Sequence, residues 1–481
     1  MAVNLSRNTK VYFTTNVDPN TGVITDANSG FTPSNTFEIR VQDGYSFTQG
    51  TQQQTITLSE GGNTPVRGQR AFNSQLDPVD FSFSTYICPV LSSNVVTPQE
   101  RVLWNALFGV GNLDAAGTSL PITTAATRAA TTGAGAATAT VVFTGDKRSL
   151  IPAGTVINFN GSTAHASWNQ PAVVIGTPTF STDTTATVEF FKAPAAAANG
   201  SAGTGQKAYL GQWAPSGTQA GQFSYTSTLA SNKNQLQKFG MIFVVDSVVY
   251  LVDNCAMDSV SLDFGLDTIA TAAWTGKGTA LKPAAAITRA HLINVANATQ
   301  YPTTVNYITN KLSTMTLQSN IGGSDNTGVA STAYAVAITG GNITISNNIN
   351  YLVPANLGVV NTSIGYFTGQ RSVTGNVTAY LRTGETNATG DLLAKQLADS
   401  STTTEPKYRV QLEMGGSSNA IKVEFEMPGA VLQIPTVDVQ DVVSTTINFN
   451  AQGFSSDTVG NTTPEFDVTK ANDLLVRYFS A

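Results

Sequence analysis

Charge is scarce in this sequence. Of its 481 residues only 12% are Asp, Glu, Lys or Arg, and the formal net charge is -6. That share is about half the usual one for soluble domains, so much of the surface needs another cover, and self-assembly supplies one. The negative balance excludes tight binding to duplex phosphates. The acids are scattered, so there is no acidic tail. Cysteine occurs twice, at Cys88 and Cys255, and histidine twice, at His165 and His291. No Cys/His metal set has workable spacing. A chain of this size needs no staples, so two buried free thiols are expected rather than a disulfide. Phosphate-loop, nucleophile-elbow, dinucleotide-binding and zincin motifs are missing. The acid pairs Asp253/Asp258 and Asp263/Asp267 read as polar faces of alternating strands, not as catalytic dyads. Carboxylates in DTVGNTTPEFD are too sparse for a calcium loop, and no basic patch is interleaved with aromatics for reading single strands. Neither an enzyme nor a cofactor is expected. Long apolar runs are missing as well. MAVNLSRNTK has no apolar segment for a secretory signal. The most apolar window, 241–252, is broken by Asp246 and is too short to span a bilayer. A soluble protein made inside the cell is expected, with no membrane insertion.

What is present is β-rich: short Val/Ile/Thr/Phe/Tyr runs bounded by Gly, Asn, Asp and Pro. Thr36–Gly44, Asp80–Ile87 and the window Gly240–Asp253 read as strands of a first part. Thr332–Gly341, Asn376–Leu381 and Lys407–Met414 read as strands of a second. TPQERVLWNALFG reads as a helix entered through a capping box, Thr97 to Glu100, with Pro98 at the first helical position. Its apolar stripe is Val102, Leu103, Ala106 and Leu107. A second helix spans Gly390–Ser400, with Leu392, Leu393 and Leu397 on one face. In both parts a strand ending in a Gly turn is followed by a strand ending in Tyr-aliphatic, then by a helix, then by strands. The last matched pieces are LDFGLDTIATAAWTGKG (from Leu262) and VDVQDVVSTTINFNAQG (from Val437). Four elements in one order imply two copies of one α+β unit.

Between the copies' shared elements lies an insertion. Its flanks, Ala115–Ala137 and Lys192–Gln206, are rich in Ala, Gly and Thr and read as linkers. Four strand-like runs between them have the spacing of a small β barrel or sandwich. The expected division is a discontinuous first domain (1–111 and 221–300), an inserted small β domain (112–220), a second domain (301–455) and a C-terminal tail (456–481). Leu474, Leu475, Tyr478 and Phe479 give the tail a weak helical face, which leaves a docking helix and a flexible end both open. In the matched final strands, Asp263 and Ser261 alternate with Leu262 and Val260, and Thr436, Asp438 and Gln440 alternate with Val437 and Val439. A half-solvated antiparallel sheet accounts for this pattern. So does a passage lined by polar and acidic groups, which phosphates would slide along rather than stick to.

The chain resembles the tail tube (major tail) proteins of long-tailed phages, above all the double-domain type of T-five-like siphophages. Leu5–Thr15, Ile39–Pro89, Asp253–Leu281, Tyr307–Leu317, Ile338–Pro354, Ile364–Leu381 and Ile434–Phe449 carry the likeness, and RGQRAFNSQLDPVDFSFSTYI is its most specific piece. The insertion departs from the pattern, and no extra β-sandwich follows residue 455. The resemblance implies a mainly β (α+β) fold. It would have two tandem tube domains, each a β-sandwich with a flanking helix, and four strands of each would join an inner barrel. It implies trimeric, pseudo-hexameric rings stacked into a DNA conduit in the virion tail, assembled in the host cytoplasm. The implied partners are further copies of itself, a tail terminator, a tail tip or baseplate, and a tape measure protein, with genomic DNA passing without specific binding. Asp263, Asp438, Ser261, Thr436 and Gln440 would face the lumen. The long Phe47–Arg70 run would make ring-stacking contacts through Gln49, Gln52, Gln53, Gln54, Glu60, Arg67 and Arg70, with Ile343–Pro354 acting likewise in the second copy. A virion decoration or adhesin protein, or a tail hub or tail-tip component, are the alternative readings.

Overall fold

The computed structural model describes residues 9–27, 30–42, 44–56, 70–92, 95–108, 118–128, 138–148, 151, 156–160, 171–190, 207–210, 222–226, 236–295, 307–319, 333–355, 357, 360–402, 408–415, 421–439, 442–455, 465–466 and 473–480. It is mainly β, with three α-helices among the described residues. The chain opens with β1 (Lys10–Thr14), β2 (Thr36–Ile39), β3 (Ser46–Ile56), β4 (Arg70–Tyr86), the short hairpin of β5 (Pro89–Ser92) and β6 (Val95–Pro98), and α1 (Arg101–Phe108). Next, β7 (Thr118–Arg128), β8 (Thr138–Phe143), β9 (Val156–Asn160), β10 (Pro171–Phe180), β11 (Thr184–Phe190) and β12 (Lys207–Leu210) close a barrel of their own. Leu120, Val141, Phe143, Ile157, Phe159 and Val188 fill it. Then follow β13 (Gln222–Thr226), β14 (Phe239–Val245), β15 (Val248–Gly265), β16 (Thr271–Gly278), β17 (Ala280–Pro283) and α2 (Arg289–Val295). The later part holds β18 (Thr314–Ser319), β19 (Ala333–Val336), β20 (Ile338–Ser346), β21 (Ile349–Leu352), β22 (Gly365–Thr368), β23 (Ser372–Tyr380) and α3 (Thr389–Thr402). It ends with β24 (Tyr408–Met414), β25 (Ile421–Leu432), β26 (Thr436–Asp438), β27 (Ser444–Ala451), β28 (Phe454–Ser455), β29 (Glu465–Phe466) and β30 (Leu475–Ser480).

One chain of antiparallel ladders occurs twice. In the first part the strands pair in the order β2–β1–β14–β15–β16–β4–β3. In the later part the order is β19–β18–β24–β25–β27–β23–β20. β15 changes partner from β14 to β16 near Asn254, which takes a φ of 45°. Asparagine tolerates this left-handed backbone better than most residues. The matching long strand of the later part is interrupted instead, at 433–435, and resumes as β26 beside β27. The alternation that builds these sheets is strict: β16 reads half-buried then buried along its whole length, and β24 does the same in opposite phase. Burial of the inward side chains drives the pairing at about 25 cal/mol per Å² of apolar area.

A single apolar core joins both parts. Phe81, Trp274 and Val260 meet Val377, Phe425 and Ile447 in it. Helix α1 sits inside that core, with Trp104 edge-on to Trp274 at 5.0 Å and tilted against Phe425 at 6.2 Å between centroids. A second core lies on the far side of β1 and β14, where Tyr12, Ile242 and Leu251 pack with Ile287 and Leu292.

Several sequence expectations yield to tertiary contacts. Thr97 and Pro98 lie outside α1; they belong to β6 and pair with Val90 and Pro89. The Glu100 carbonyl instead accepts the Leu103 and Trp104 N–H groups, while its side chain is buried and receives the Tyr478 hydroxyl at 2.5 Å. No single stripe of α1 faces inward, because Val102 through Phe108 are all buried. On α3 Leu392 is buried, yet Leu397 is 51% exposed and Gln396 takes the inward place. His291 lies in α2. The 241–252 window is two strands of a hairpin that turns at Asp246, φ 54°. Part of the Ala/Gly/Thr-rich flank expected as linker is β7, a barrel strand held by β8 and β12. Lys192–Gln206 lies outside the described residues. The tail ends in a strand, not a helix: β30 pairs with β25 on one side and β13 on the other. Asp253 is no solvated-face residue; it is buried, ion-paired with Lys282 at 2.7 Å, and accepts the Ile24 N–H at 2.9 Å. Cys88 and Cys255 are both free and buried, and burial pushes the Cys88 thiol up to about 12.

Candidate assembly surface

The two parts meet edge to edge. β15 pairs with β20, so that eight strands run side by side as β3–β4–β16–β15–β20–β23–β27–β26. Four come from each part, and every ladder is antiparallel. The rungs correspond. Asp263 faces Thr271, which faces Tyr86. Asp438 faces Ser444, which faces Tyr380. Five residues along, Phe81 faces Gly276 in one part and Gly375 faces Phe449 in the other. A Cβ on either glycine would stand 2.2–2.3 Å from the facing ring, so the same aromatic-over-glycine rung recurs with its sides exchanged.

One face of this wall is core and the other is open. The open face carries Ser259, Ser261, Thr275, Ser82, Ser84, Thr344, Asn376, Thr378, Thr446 and Asn448, all half-buried or exposed. Its charged groups are Asp80, Asp263, Asp438 and Lys277 among the described residues, and Lys277 stands opposite Asp80. Short side chains of this kind bond one another across the ladder. Ser259 and Thr275 hydroxyls lie 2.7 Å apart, and those of Ser46 and Ser82 2.8 Å apart. At the joint between the parts, the Asn342 amide donates to Asp263 Oδ1 at 2.5 Å and to Ser261 Oγ at 2.7 Å. A cleft of about 700 Å³ follows this joint, and Asp263 is the one charged residue lining it. It therefore offers no paired acid and base for catalysis.

Asp263 and Ser261 thus stand on the open face of β15, and Thr436 and Asp438 stand exposed on β26. Gln440 lies outside the described residues. Asp80, Lys277, Asn342 and Asn376 share this face and escaped sequence reasoning, although the alternation of β4 and β23 carried the signal.

Beyond the wall, β3 and β4 continue as a two-stranded hairpin. From Gly50 to Ile56 and from Arg70 to Asn73 every residue is exposed. Asp77 ties its base together: its Oδ1 accepts the Gln52 and Gln75 amides at 3.0 and 3.2 Å, and its carbonyl accepts the Gln49 amide at 3.0 Å. Gln49 also accepts the Leu281 N–H. Gln53, Gln54 and Arg70 are exposed, whereas Glu60 and Arg67 lie outside the described residues. The later part has a matching extension, β21 paired with β22, which exposes Leu352, Ile364 and Phe367. The two extensions touch through Asn361, whose backbone exchanges hydrogen bonds with Ser74 and Leu76.

No family model matches the chain. It is 23% identical over 463 residues to the tail tube protein pb6 of Escherichia phage T5, a match that covers 94% of this chain and 73% of that protein. Similarity of this extent, on a mainly β fold, supports a T5-like tail tube protein with a structural role in the virion tail.

Proposed function

We propose that three copies of this chain close a pseudo-hexameric ring, and that such rings stack into the tube through which the genome leaves the virion. One observation carries the reading: the eight-stranded wall consists of two matched sets of four, with a small polar open face. Each set fills one sixth of the ring, so the duplicated chain lets a trimer do the work of six one-domain subunits. A heterologous interface that closes on itself makes such rings. With ~4.8 Å between strands and ~45° of tilt, a barrel of three walls is about 50 Å across between backbones, wide enough for a duplex.

In this reading the open face is the lumen. Asp263 and Asp438 repel phosphate, Asp80 stands opposite Lys277, and several of the polar groups between them already bond one another: Ser46 with Ser82, Ser259 with Thr275, and Asn342 with Ser261 and Thr344. The β3–β4 hairpin, with Gln52, Gln53, Gln54 and Arg70, and the smaller β21–β22 extension reach the adjacent ring. Gln49 serves the hairpin's base. The barrel of β7–β12 projects outward as a separate unit. The chain has no turnover; it meets itself along the tube, a terminator and a tip or baseplate at the ends, and the tape measure and then DNA inside. Assembly takes place in the host cytoplasm. Electron microscopy of the purified protein tests this: open-ended stacked tubes are expected, and discrete trimers that never stack would assign it to a hub instead.

A further inference from the structure

We infer that ring closure repeats the internal β15–β20 joint rung for rung, with β26 of one copy pairing antiparallel with β3 of the next. Asp438 then stands opposite Ser46 of the next copy, Val437 opposite its Phe47 and Thr436 opposite its Thr48. The inference rests on the ring reading above and adds the register.

The register follows from matched rungs. Four residues before Tyr86, Ser82 faces Ser46. Four residues before Tyr380, Asn376 faces Asn342. Ser46 and Asn342 therefore hold the same place in their sets, as Asp438 and Asp263 hold theirs. Inside the chain Asn342 faces Asp263, Ile343 faces Leu262 and Thr344 faces Ser261. Transferring these pairs gives Asp438 with Ser46, Val437 with Phe47 and Thr436 with Thr48.

Burial independently marks the missing neighbour. At the internal joint Leu262 is 1% exposed, Phe264 3% and Ile343 1%. The residues in the matching places at the outer edge are Val437, 43% exposed, and Val439, 77% exposed. Phe47, the counterpart of Ile343, is only half-buried. Among the described residues, β3 pairs with β4 alone and β26 with β27 alone. An edge strand bearing apolar side chains is a template for another chain. The internal joint shows which chain fits, because β3 holds the place of β20 and β26 that of the end of β15. On the open face the joint changes chemistry: a Ser46 hydroxyl meets the Asp438 carboxylate where Asn342 meets Asp263, and a hydroxyl donating to a carboxylate is a strong, short bond.

Cysteine pairs read the register directly, since a disulfide needs Cβ atoms about 3.5–4.5 Å apart and diagonal neighbours are about 7–8 Å apart. Tubes of Asp438→Cys with Ser46→Cys, and of Thr436→Cys with Thr48→Cys, should oxidise to covalent dimers and trimers on a denaturing gel. The slipped pair, Asp438→Cys with Thr48→Cys, should not. Cys88 and Cys255 are buried and give no background. Cross-linking of the slipped pair, in tubes that still form, overturns the register and leaves the ring reading intact. Wild-type protein that forms no rings overturns the ring reading itself. Should the cysteine variants fail to assemble, a wild-type tube reconstruction decides: Val437 packed on Phe47 of the neighbour upholds the register, and any other pairing overturns it.

Discussion

At the scale of single residues, the most consequential polar group in the core is Glu100. Burial raises its carboxyl above the ordinary 4.5, opposed by the Tyr478 hydroxyl that donates to it. The Trp104 indole N–H donates in turn to the Tyr478 hydroxyl at 2.9 Å, which fastens the C-terminal strand to α1. An acid whose folded-state pKa is raised contributes stability that is full below its unfolded value and is lost as pH rises through the folded one. Glu100→Gln keeps the shape and an acceptor but cannot ionise. Relative to wild type, the variant should therefore gain stability as pH rises above 4.5, reaching about 1–3 kcal/mol near pH 8, the usual cost of an ill-satisfied buried polar group. Thermal unfolding across pH measures this, and parallel profiles for the two proteins would show that folding does not raise the Glu100 carboxyl. Nothing local in the sequence marks this group. Glu100 sits in a strong capping-box signature, and Tyr478 lies 378 residues away.

At the scale of elements, two pieces are separable from the wall. The β3–β4 hairpin is exposed beyond its Asp77 anchor, so removing 53–74 and joining Gln52 to Gln75 through an Asn-Gly turn leaves the wall's own rungs in place. Single rings in place of tubes are the expected product under the microscope, and normal tubes would move the stacking contacts elsewhere. The β7–β12 barrel has its own closed sheet and its own core. Replacing 112–220 by a short Gly/Ser link should still yield tubes, whereas failure to assemble would make the barrel part of the wall's support. Element order was the most legible feature of the sequence. The Gly-turn strand, the Tyr-ended strand, the helix and the final Asp-bearing strands all recur in the folded order, because alternation and turn residues act locally. What stayed hidden depends on distant partners. β7 reads as linker since Thr, Ala and Ser carry little apolar signal, yet β8 and β12 complete its hydrogen bonds. β30 reads as weakly helical because Leu474 and Tyr478 are four apart, yet β25 and β13 flank it on both sides and fix it extended. On the open face, Asp263, Ser261, Thr436 and Asp438 were legible from alternation alone, while the Asn342 bridge needed the joint between the parts.

At the scale of the molecule, the wall's two sets and their open face make a claim about transport. Converting Asp263 and Asp438 to Lys places cations where the proposed lumen has carboxylates and creates counterion-releasing contacts to phosphate. Tubes should still form, because the backbone ladder of such a joint runs over several rungs and does not need the carboxylate, and phage carrying them should eject DNA more slowly in a fluorescence release assay. Unchanged ejection would remove these residues from the lumen. In the proposed ring each half of one chain supplies an equivalent sixth of the closed wall. Reconstruction of the assembled tube from electron micrographs measures it most directly. Three chains per ring are expected, with the β3–β4–β16–β15 and β20–β23–β27–β26 sets alternating at rotations of about 60° around one continuous barrel. A ring of six chains, or one in which only one of the two sets reaches the barrel, would contradict it.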